Sequence, residues 1–587
     1  MNSLSASIGA LQTNSRQWDA FCSQGHCVVL APPGSGKTKL LTTRLAYDLF
    51  NTIPPPHGAA CITLTRPAAD ELRHRLHLLG TPERSTLFVG TVHSFALRRI
   101  IAPFAGLVGR PEFATASIAT TQQVNDAFKR ANTIVFGPDG DTRARRVAID
   151  YHRTKLSDDA EWAASGVGIR DAAVLYEQHL LDQGLIDFSR AIATAVDLVE
   201  QHELVRTVLA ARHPRLYVDE YQDLAPGLHR LVRALCFDYS IHAELFAVGD
   251  PDQAVYGWTG TRPELLDELA ATPGVMTVRL DHNYRSRNEI IRVANLLRQG
   301  AHHMVGDRAG GAVIATRYIA GFRAQCDAAA QAAQDAHKRG VLLHDIVALC
   351  ATNAQCRQVA QALRDRGIPA TVRSTEYGQT LATTFVEACA AWSVLGRENS
   401  SHSLGTLLKR WRQLLGSRWQ REDDVRLTTL LMNSRRNATR LAQDFLNELL
   451  DLGLREGFES VTRSEDAAAI ADMSAALTSG PIAGLTVHDL SQRARKLDRV
   501  EVTTMTLSKG LEFDLVLILG MDERQMPHFN SFDSPTKMAE DRRKFYVSVT
   551  RARDEVQIFC SGYVQWSNGN RSCDGPSRFL AEIGLYP

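Results

Sequence analysis

Residues 31–38 read APPGSGKT, placed directly after the apolar run CVVL and before the helix-forming KLLTTRLAYDLF. A strand, a glycine-rich loop and a helix in that order make a cradle for phosphate. The backbone N–H groups of Gly34, Ser35, Gly36, Lys37 and Thr38 would converge at a helix N-terminus, where the helix dipole adds partial positive charge. Pro32 and Pro33 have no N–H to give but precede the donating part of the loop, and Pro33 leads into its lining. In such a loop Lys37 reaches the β- and γ-phosphates and the Thr38 hydroxyl ligates Mg²⁺. The acid that this arrangement requires on a neighbouring strand is offered by LYVDEYQD, residues 216–223. Asp219 ends the strand and would hold Mg²⁺ through water, while Glu220 would polarise an attacking water, a task needed for hydrolysis and not for binding alone.

Hydrolysis also needs positive charge on the terminal phosphate. Arg285, in DHNYRS, and Arg551, in YVSVTRAR, are candidates, although an arginine on a surface is ordinarily just solvated. A further stretch, GDPDQAVYGWTG at 249–260, sets Gln253, which suits a phosphate, close to the flat rings of Tyr256 and Trp258.

The elements that must position these residues are legible as short β-branched runs bounded by Gly, Pro and Asp. CVVLAP, AACITLT, TLFVGTVH, LYVDE, ELFAVGD and VMTVRLDH form one set, and GAVIATRY, DIVALCA, VEVTTMTL, DLVLILGMD and EVQIFC a second. Helical stretches such as AADELRHRLHLL and LHRLVRALCF separate them, and this alternation predicts two α/β cores with parallel sheets. Residues 96–185 and 379–499 interrupt the pattern with helix formers of period near 3.6, as in TQQVNDAFKRAN and LGTLLKRWRQLL, and read as helical insertions, the first without a convincing strand.

Composition fits this reading. A chain of 587 residues is too long for one core and predicts roughly three to five domains. Hydrophobic residues make up 44% and the net charge is +1, so the chain is globular and any polyanion must bind in a locally basic groove. No apolar run approaches a membrane span, and no membrane association is expected. The N-terminal MNSLSASIGALQTNSRQ lacks the basic and apolar regions of a secretory leader. Ten cysteines lie scattered, mostly in apolar runs, as buried thiols in a reducing compartment do; a cytoplasmic location is expected. Cys22, His26 and Cys27 have no second ligand pair to complete a zinc site.

Taken in order, the motifs resemble those of the UvrD/Rep/PcrA-type superfamily 1A DNA helicases. TNSRQWDAF resembles the adenine-recognition segment, ITLTRPAADELRHR and GTVHSFALR the segments that bind single-stranded DNA, and LIDFSRAI the return to the first core. DEYQD, GDPDQAVYGWTG, NYRS, LSKGLEFDLVLILGMDERQMPH and EDRRKFYVSVTRAR follow in the family's order. The resemblance implies an α/β fold of two RecA-like parallel-sheet cores with mainly helical insertions. Core 1A would take residues 1–95 and 186–281, insertion 1B 96–185, core 2A 282–378 and 500–587, and insertion 2B 379–499. It further implies that Gln17 reads the adenine, Tyr284 stacks on it, Glu512 contacts the ribose, Gln253 senses the γ-phosphate, and Arg285 and Arg551 contact that phosphate from the second core.

Tyr256 and Trp258 would then lie toward DNA, Trp258 on a base. Stacking of a base on an aromatic face is worth about 1–3 kcal/mol and is indifferent to sequence. Gln253 and Trp258 are five residues apart, a span of at most about 17 Å, so one connector can touch a phosphate and a base. Core aromatics are the alternative for both rings. Thr65, Arg66, Thr91, His93 and Phe95 end strands at the face where open α/β sheets bind ligands, and are candidates for contacts to the DNA backbone, each alternatively a helix cap.

Two positions depart from the family. Thr259 replaces an arginine after the tryptophan, and Thr504-Met505-Thr506 replaces TxH before KGLE. The expected activity is therefore an ATP- and Mg²⁺-dependent translocase on single-stranded DNA and on single-strand–duplex junctions, 3′→5′ by resemblance, that separates duplexes. The alternative is a DNA-stimulated ATPase switch or clamp in a repair or phage-defence assembly. A protein partner is possible, but no residue identifies one.

Overall fold

The computed structural model describes residues 2–587 apart from 83, 139–140, 241, 258–259, 299, 301, 374–375, 400–401, 459–462, 481, 495–497 and 567–568. Two six-stranded sheets organise the chain. In the first, β1 (His26–Leu30), β2 (Ala59–Thr63), β3 (Phe88–Thr91), β4 (Arg215–Val218), β5 (Glu244–Gly249) and β6 (Val275–Arg279) lie in the order β3-β2-β4-β5-β1-β6. All five pairings are parallel. In the second, β7 (Ala312–Arg317), β8 (Ile346–Cys350), β9 (Ala370–Val372), β10 (Val500–Thr504), β11 (Phe513–Leu519) and β12 (Ala552–Cys560) lie in the order β9-β10-β8-β11-β12-β7, again all parallel.

Parallel sheets need cover on both faces, and the strand sequences provide for it. Along β1 the buried side chains alternate: Cys27 and Val29 join one apolar cluster, Val28 and Leu30 the other. β8 repeats the pattern, with Val347 and Leu349 on one side and Ile346, Ala348 and Cys350 on the other. Eight of the ten cysteines are buried, all ten are free thiols, and only Cys22 and Cys573 are exposed.

Register places the site. Leu30 pairs with both Gly249 and Arg279, so β1, β5 and β6 end at one level. The glycine loop, the 249–260 connector and the NYRS segment therefore leave the same edge of the sheet, the edge at which open α/β sheets take ligands. In the second sheet Phe513 pairs with Ala552, so the residues just before them, Glu512 and Arg551, lie side by side.

The helical interruptions have their own interiors. After β3 the chain first packs Phe95, Ile100 and Phe104 under the first sheet. Helices Thr121–Phe136, Thr142–Lys155 and Ile169–Leu181 then gather Phe128, Ala131, Ile149 and Tyr176 into a separate cluster. A parallel pair of only two residues per strand, Ser117–Ile118 with Leu185–Ile186, closes this excursion at its base. It was not apparent from the sequence, because two residues carry no alternation.

Asp187 locks the return. Its carboxylate accepts from Arg153 at 2.6 and 2.8 Å, from the Tyr176 hydroxyl at 2.7 Å, and from the N–H of Arg190 at the start of helix Phe188–Gln201. Burial alone would raise this carboxyl's pKa, but the arginine outweighs it and holds the value at about 2.

The second interruption packs helices Leu381–Asn399, Leu404–Leu415, Arg421–Ser434, Ala442–Leu449, Ser464–Thr478 and Val487–Ala494 around Phe385, Trp411, Phe445 and Met473. Trp411 is fully buried and stacks on Phe385, ring centroids 5.7 Å apart. Trp411→Ala removes the largest side chain of this cluster and is expected to destabilise the helical unit by about 3–5 kcal/mol. An unchanged denaturant midpoint for loss of helical circular dichroism would show that the unit does not depend on that ring.

Candidate functional site

The glycine loop adopts the backbone its sequence requires. Gly34 and Gly36 have φ of 72° and 80°, in the region that side chains disfavour, and Gly36 opens helix Lys37–Asn51. A Cβ on Gly34 would meet Asn283 Oδ1 at 2.5 Å, and one on Gly36 would meet Gln17 Nε2 at 3.0 Å. Both glycines thus serve close approach as well as φ. Gln17 is buried and donates from Nε2 to the Ser35 carbonyl at 2.8 Å, while Ser35 Oγ donates to the Pro32 carbonyl at 2.7 Å. Pro33 is buried in the same turn.

The acid pair stands opposite. Lys37 Nζ lies 2.9 Å from Glu220 Oε1, and Thr38 Oγ1 lies 3.5 Å from Asp219 Oδ2. Glu220 takes a left-handed backbone, φ 55°, which is uncommon for a non-glycine residue and costs of order 1–3 kcal/mol. That turn lets Asp219 and Glu220 both face the loop. Burial raises the pKa of Asp219, and the Glu220 charge raises it further. Burial works against the charge on Glu220 too, but Lys37 and Lys509 overcome it and keep that carboxyl ionised.

The second core completes the site. Arg551 is buried, donates from Nε to the Val547 carbonyl at 3.0 Å, and reaches Gln253 Oε1 at 3.3 Å. Gln253 in turn donates from Nε2 to Asp250 Oδ2 at 2.9 Å. Burial, reinforced by the neighbouring Arg285, pushes the Arg551 pKa down to about 9. Two guanidinium groups that disfavour each other's charge favour an anion beside them.

Arg285 pairs with Glu512 at 2.7 Å, and Arg553 binds the same carboxylate at 3.0 Å. Glu512, expected at a ribose, is thus engaged by two arginines here. Asn283 fixes the approach of Arg285: its Oδ1 accepts from the N–H groups of Arg285 and Ser286, both at 2.8 Å. Tyr284 is half exposed, donates its N–H to the Gly34 carbonyl at 2.9 Å, and accepts from Asn14 Nδ2 at 3.0 Å. Asn14 also caps the helix that carries Gln17, so both residues expected at an adenine share one anchor.

Lys509, in KGLEF, belongs to the same cluster and was not singled out from the sequence. Its Nζ donates to Asp223 Oδ1 at 2.7 Å and to the Gln253 carbonyl at 2.6 Å, and it lies 3.7 Å from Glu220. Among the described residues no group of three or more His, Cys, Asp or Glu is arranged to hold a metal ion. Thr38 and Asp219 alone fit a Mg²⁺ that takes its other ligands from phosphate and water.

The residues expected on DNA are placed less uniformly. Thr65 and Thr91 are both helix N-caps, accepting from the N–H groups of Ala68 at 3.4 Å and Ser94 at 3.1 Å; Thr65 is exposed and Thr91 buried. Phe95 is corrected outright. Its ring is buried in the first core, edge-on to Phe88, because the helix begun by Thr91 turns that side inward. His93 packs edge-on against Phe188, and burial lowers the pKa of its imidazole.

Arg66 pairs with Glu465 and, at 3.4 Å, with Asp466, both at the start of helix Ser464–Thr478. Ser94 donates to Glu465 at 2.9 Å. Burial opposes the Arg66 charge, and the two acids more than offset it. Tyr256 is half buried and packs against the second core's apolar cluster. Trp258 lies outside the described residues, as does Thr259.

Comparison with known proteins fits this geometry. The family model of the UvrD/REP helicase N-terminal domain matches residues 13–273, and that of the UvrD-like helicase C-terminal domain matches residues 459–562. The chain is 25% identical to the ATP-dependent DNA helicase Rep of Escherichia coli (strain K12), over 95% of this chain and 92% of Rep. It is 24% identical to the ATP-dependent DNA helicase PcrA of a Staphylococcus epidermidis strain, over 97% of this chain and 86% of PcrA.

Gly34→Ala tests the loop geometry. The new methyl collides with Asn283 and strains the backbone, so kcat/KM for ATP is expected to fall at least about tenfold with the fold intact. Unchanged turnover would mean that the two cores need not meet at Gly34.

Proposed function

This chain belongs to the UvrD/Rep/PcrA-type superfamily 1 helicase family, and from that premise we propose that it is an ATP-driven translocase on single-stranded DNA, moving 3′→5′ and separating duplex at single-strand–duplex junctions. The observation that carries the reading is the composite site. Lys37, Thr38, Asp219 and Glu220 come from one core, Arg285 and Arg551 from the other, and Gln253 contacts Arg551 between them. A phosphate site divided in this way ties the nucleotide's state to the relation between the cores, which is what a motor requires.

The residues divide the work as follows. Gln17 and the Asn14–Tyr284 pair would frame the base, and the loop from Gly34 to Thr38 would cradle the phosphates. Mg²⁺, held by Thr38 and Asp219, would neutralise charge on the phosphate oxygens. Lys37 now neutralises Glu220, and a triphosphate would draw it away. Glu220 would then be left beside the attacking water as the proton acceptor. Arg285 and Arg551 would take up the charge that develops on the transferred phosphoryl group. The connector after Gln253 would carry the change to Tyr256 and Trp258. No helix among the described residues is long and apolar enough to cross a membrane, and a cytoplasmic site of action is part of the reading.

One observation favours a second reading, a DNA-stimulated ATPase switch without sustained unwinding. Arg66, expected along the DNA track, is engaged by Glu465, to which Ser94 also donates. Strand displacement from a 3′-tailed duplex, measured beside DNA-stimulated ATP hydrolysis, decides. Displacement supports the translocase, stimulated hydrolysis without displacement supports the switch, and polymer-independent turnover contradicts both. Glu220→Gln is expected to bind ATP and DNA normally while turnover falls by about 10²-fold or more. Weakened ATP binding in this variant would contradict the role given to Glu220.

A further inference from the structure

The connector that leaves β5 is held less by its own core than by the other one. Asp252, Gln253 and Ala254 each contact a different cation of the second core. Arg298 Nε lies 2.8 Å from Asp252 Oδ2, Lys509 Nζ donates to the Gln253 carbonyl at 2.6 Å, and Arg543 Nε donates to the Ala254 carbonyl at 2.9 Å. Val255 is fully buried in the second core's apolar cluster, and Tyr256 packs against that cluster. A Cβ on Gly257 would run into the Glu540 carboxylate, which stands on the same helix as Arg543, Pro535–Val549. The first core contributes local bonds near the start: Asp250 accepts from the N–H of Asp252 and from the Gln253 side chain.

We propose that Arg543, with Lys509, is a positioning residue that clamps the backbone of this connector to the second core, so that movement of that core is passed along the connector to Tyr256. The inference rests on the motor reading above and adds the means of transmission. Carbonyl groups are the natural handle. The Gln253 side chain is already shared between Asp250 and Arg551, and a carbonyl keeps its direction when side chains change rotamer. A charged donor to a carbonyl is stronger than a neutral one, and two such donors on consecutive carbonyls, beside the Arg298–Asp252 pair, leave the segment little freedom to slip. Lys509 also touches Asp223 and approaches Glu220, so its loss would disturb hydrolysis directly. Arg543 contacts the connector without touching the acid pair and is the cleaner probe.

The measurement is the ratio of single-stranded-DNA-stimulated to basal ATP turnover in the full chain. Arg543→Ala is expected to lower this ratio about fivefold, and Arg543→Lys, which keeps a charged donor, to restore most of it. Arg542→Ala is the control: Arg542 stands on the same helix but pairs with Glu582 at 2.8 Å, away from the connector, and the ratio is expected to hold. Equal loss of basal and stimulated turnover in Arg543→Ala, leaving the ratio unchanged, overturns the clamp, as does an Arg542→Ala variant that behaves the same way as Arg543→Ala. A wild-type chain with no DNA stimulation retires the motor reading itself, an outcome distinct from a wild type that responds and an Arg543→Ala that responds equally.

Discussion

Charge brought out of water must be answered, and at the contact between the two cores this requirement fixes the arrangement. Lys37 faces Glu220, Lys509 faces Asp223, Arg285 faces Glu512, and Arg298 faces Asp252. Two of these four pairs draw one member from each core: Lys509 and Arg298 are second-core cations, and their acids, Asp223 and Asp252, belong to the first. Removing one partner of a buried pair typically costs 3–5 kcal/mol, because the other charge is stranded. The cores therefore meet in a defined register even though each has its own sheet and its own apolar clusters. Arg551 is the exception that gives the site its purpose: among the described residues its partners are carbonyls, the Thr550 hydroxyl and the Gln253 amide oxygen, and no carboxylate forms an ion pair with it.

The same requirement explains why the helical units are tied where they are. Asp187 and Arg153 close the base of the first unit, and Arg66 meets Glu465 and Asp466 from the second. Thr121, at the start of a helix in the first unit, donates to Asp472 on the same helix as Glu465. One helix, Ser464–Thr478, thus bridges the first core and the first helical unit through its acids and through Ala468, which joins the first core's apolar cluster. A polyanion following that surface would compete with Glu465 and Asp466 for Arg66.

Much of this was legible in the sequence, for a physical reason. The phosphate cradle, the acid pair and the arginines are local motifs, and the central strands β1, β4 and β5 beside them are apolar runs buried on both faces. β9 escaped because its three residues, Ala370–Val372, are only partly buried and show no alternation. Lys509, Arg543 and the acids on helix Ser464–Thr478 escaped for another reason. Their partners lie hundreds of residues away, Arg66 and Asp466 being 400 apart, and a surface lysine or glutamate looks alike with or without one. Phe95 was misplaced because a strand end shows which edge a residue occupies but not which way the next helical turn faces it. Thr65 and Thr91 were ambiguous for a chemical reason: a hydroxyl at a strand end caps a helix as readily as it binds phosphate.

The central claim is that the second core recognises the charge of the reacting phosphoryl group and does so more strongly at the transition state than in the ground state. Comparing the affinities of Arg551→Ala and wild type for ATP and for ADP with fluoroaluminate, a mimic of the transferring phosphoryl group, tests it most directly. The claim predicts a loss of at least about 100-fold for the mimic against less than about fivefold for ATP. Equal losses for the two, or none for the mimic, would contradict it.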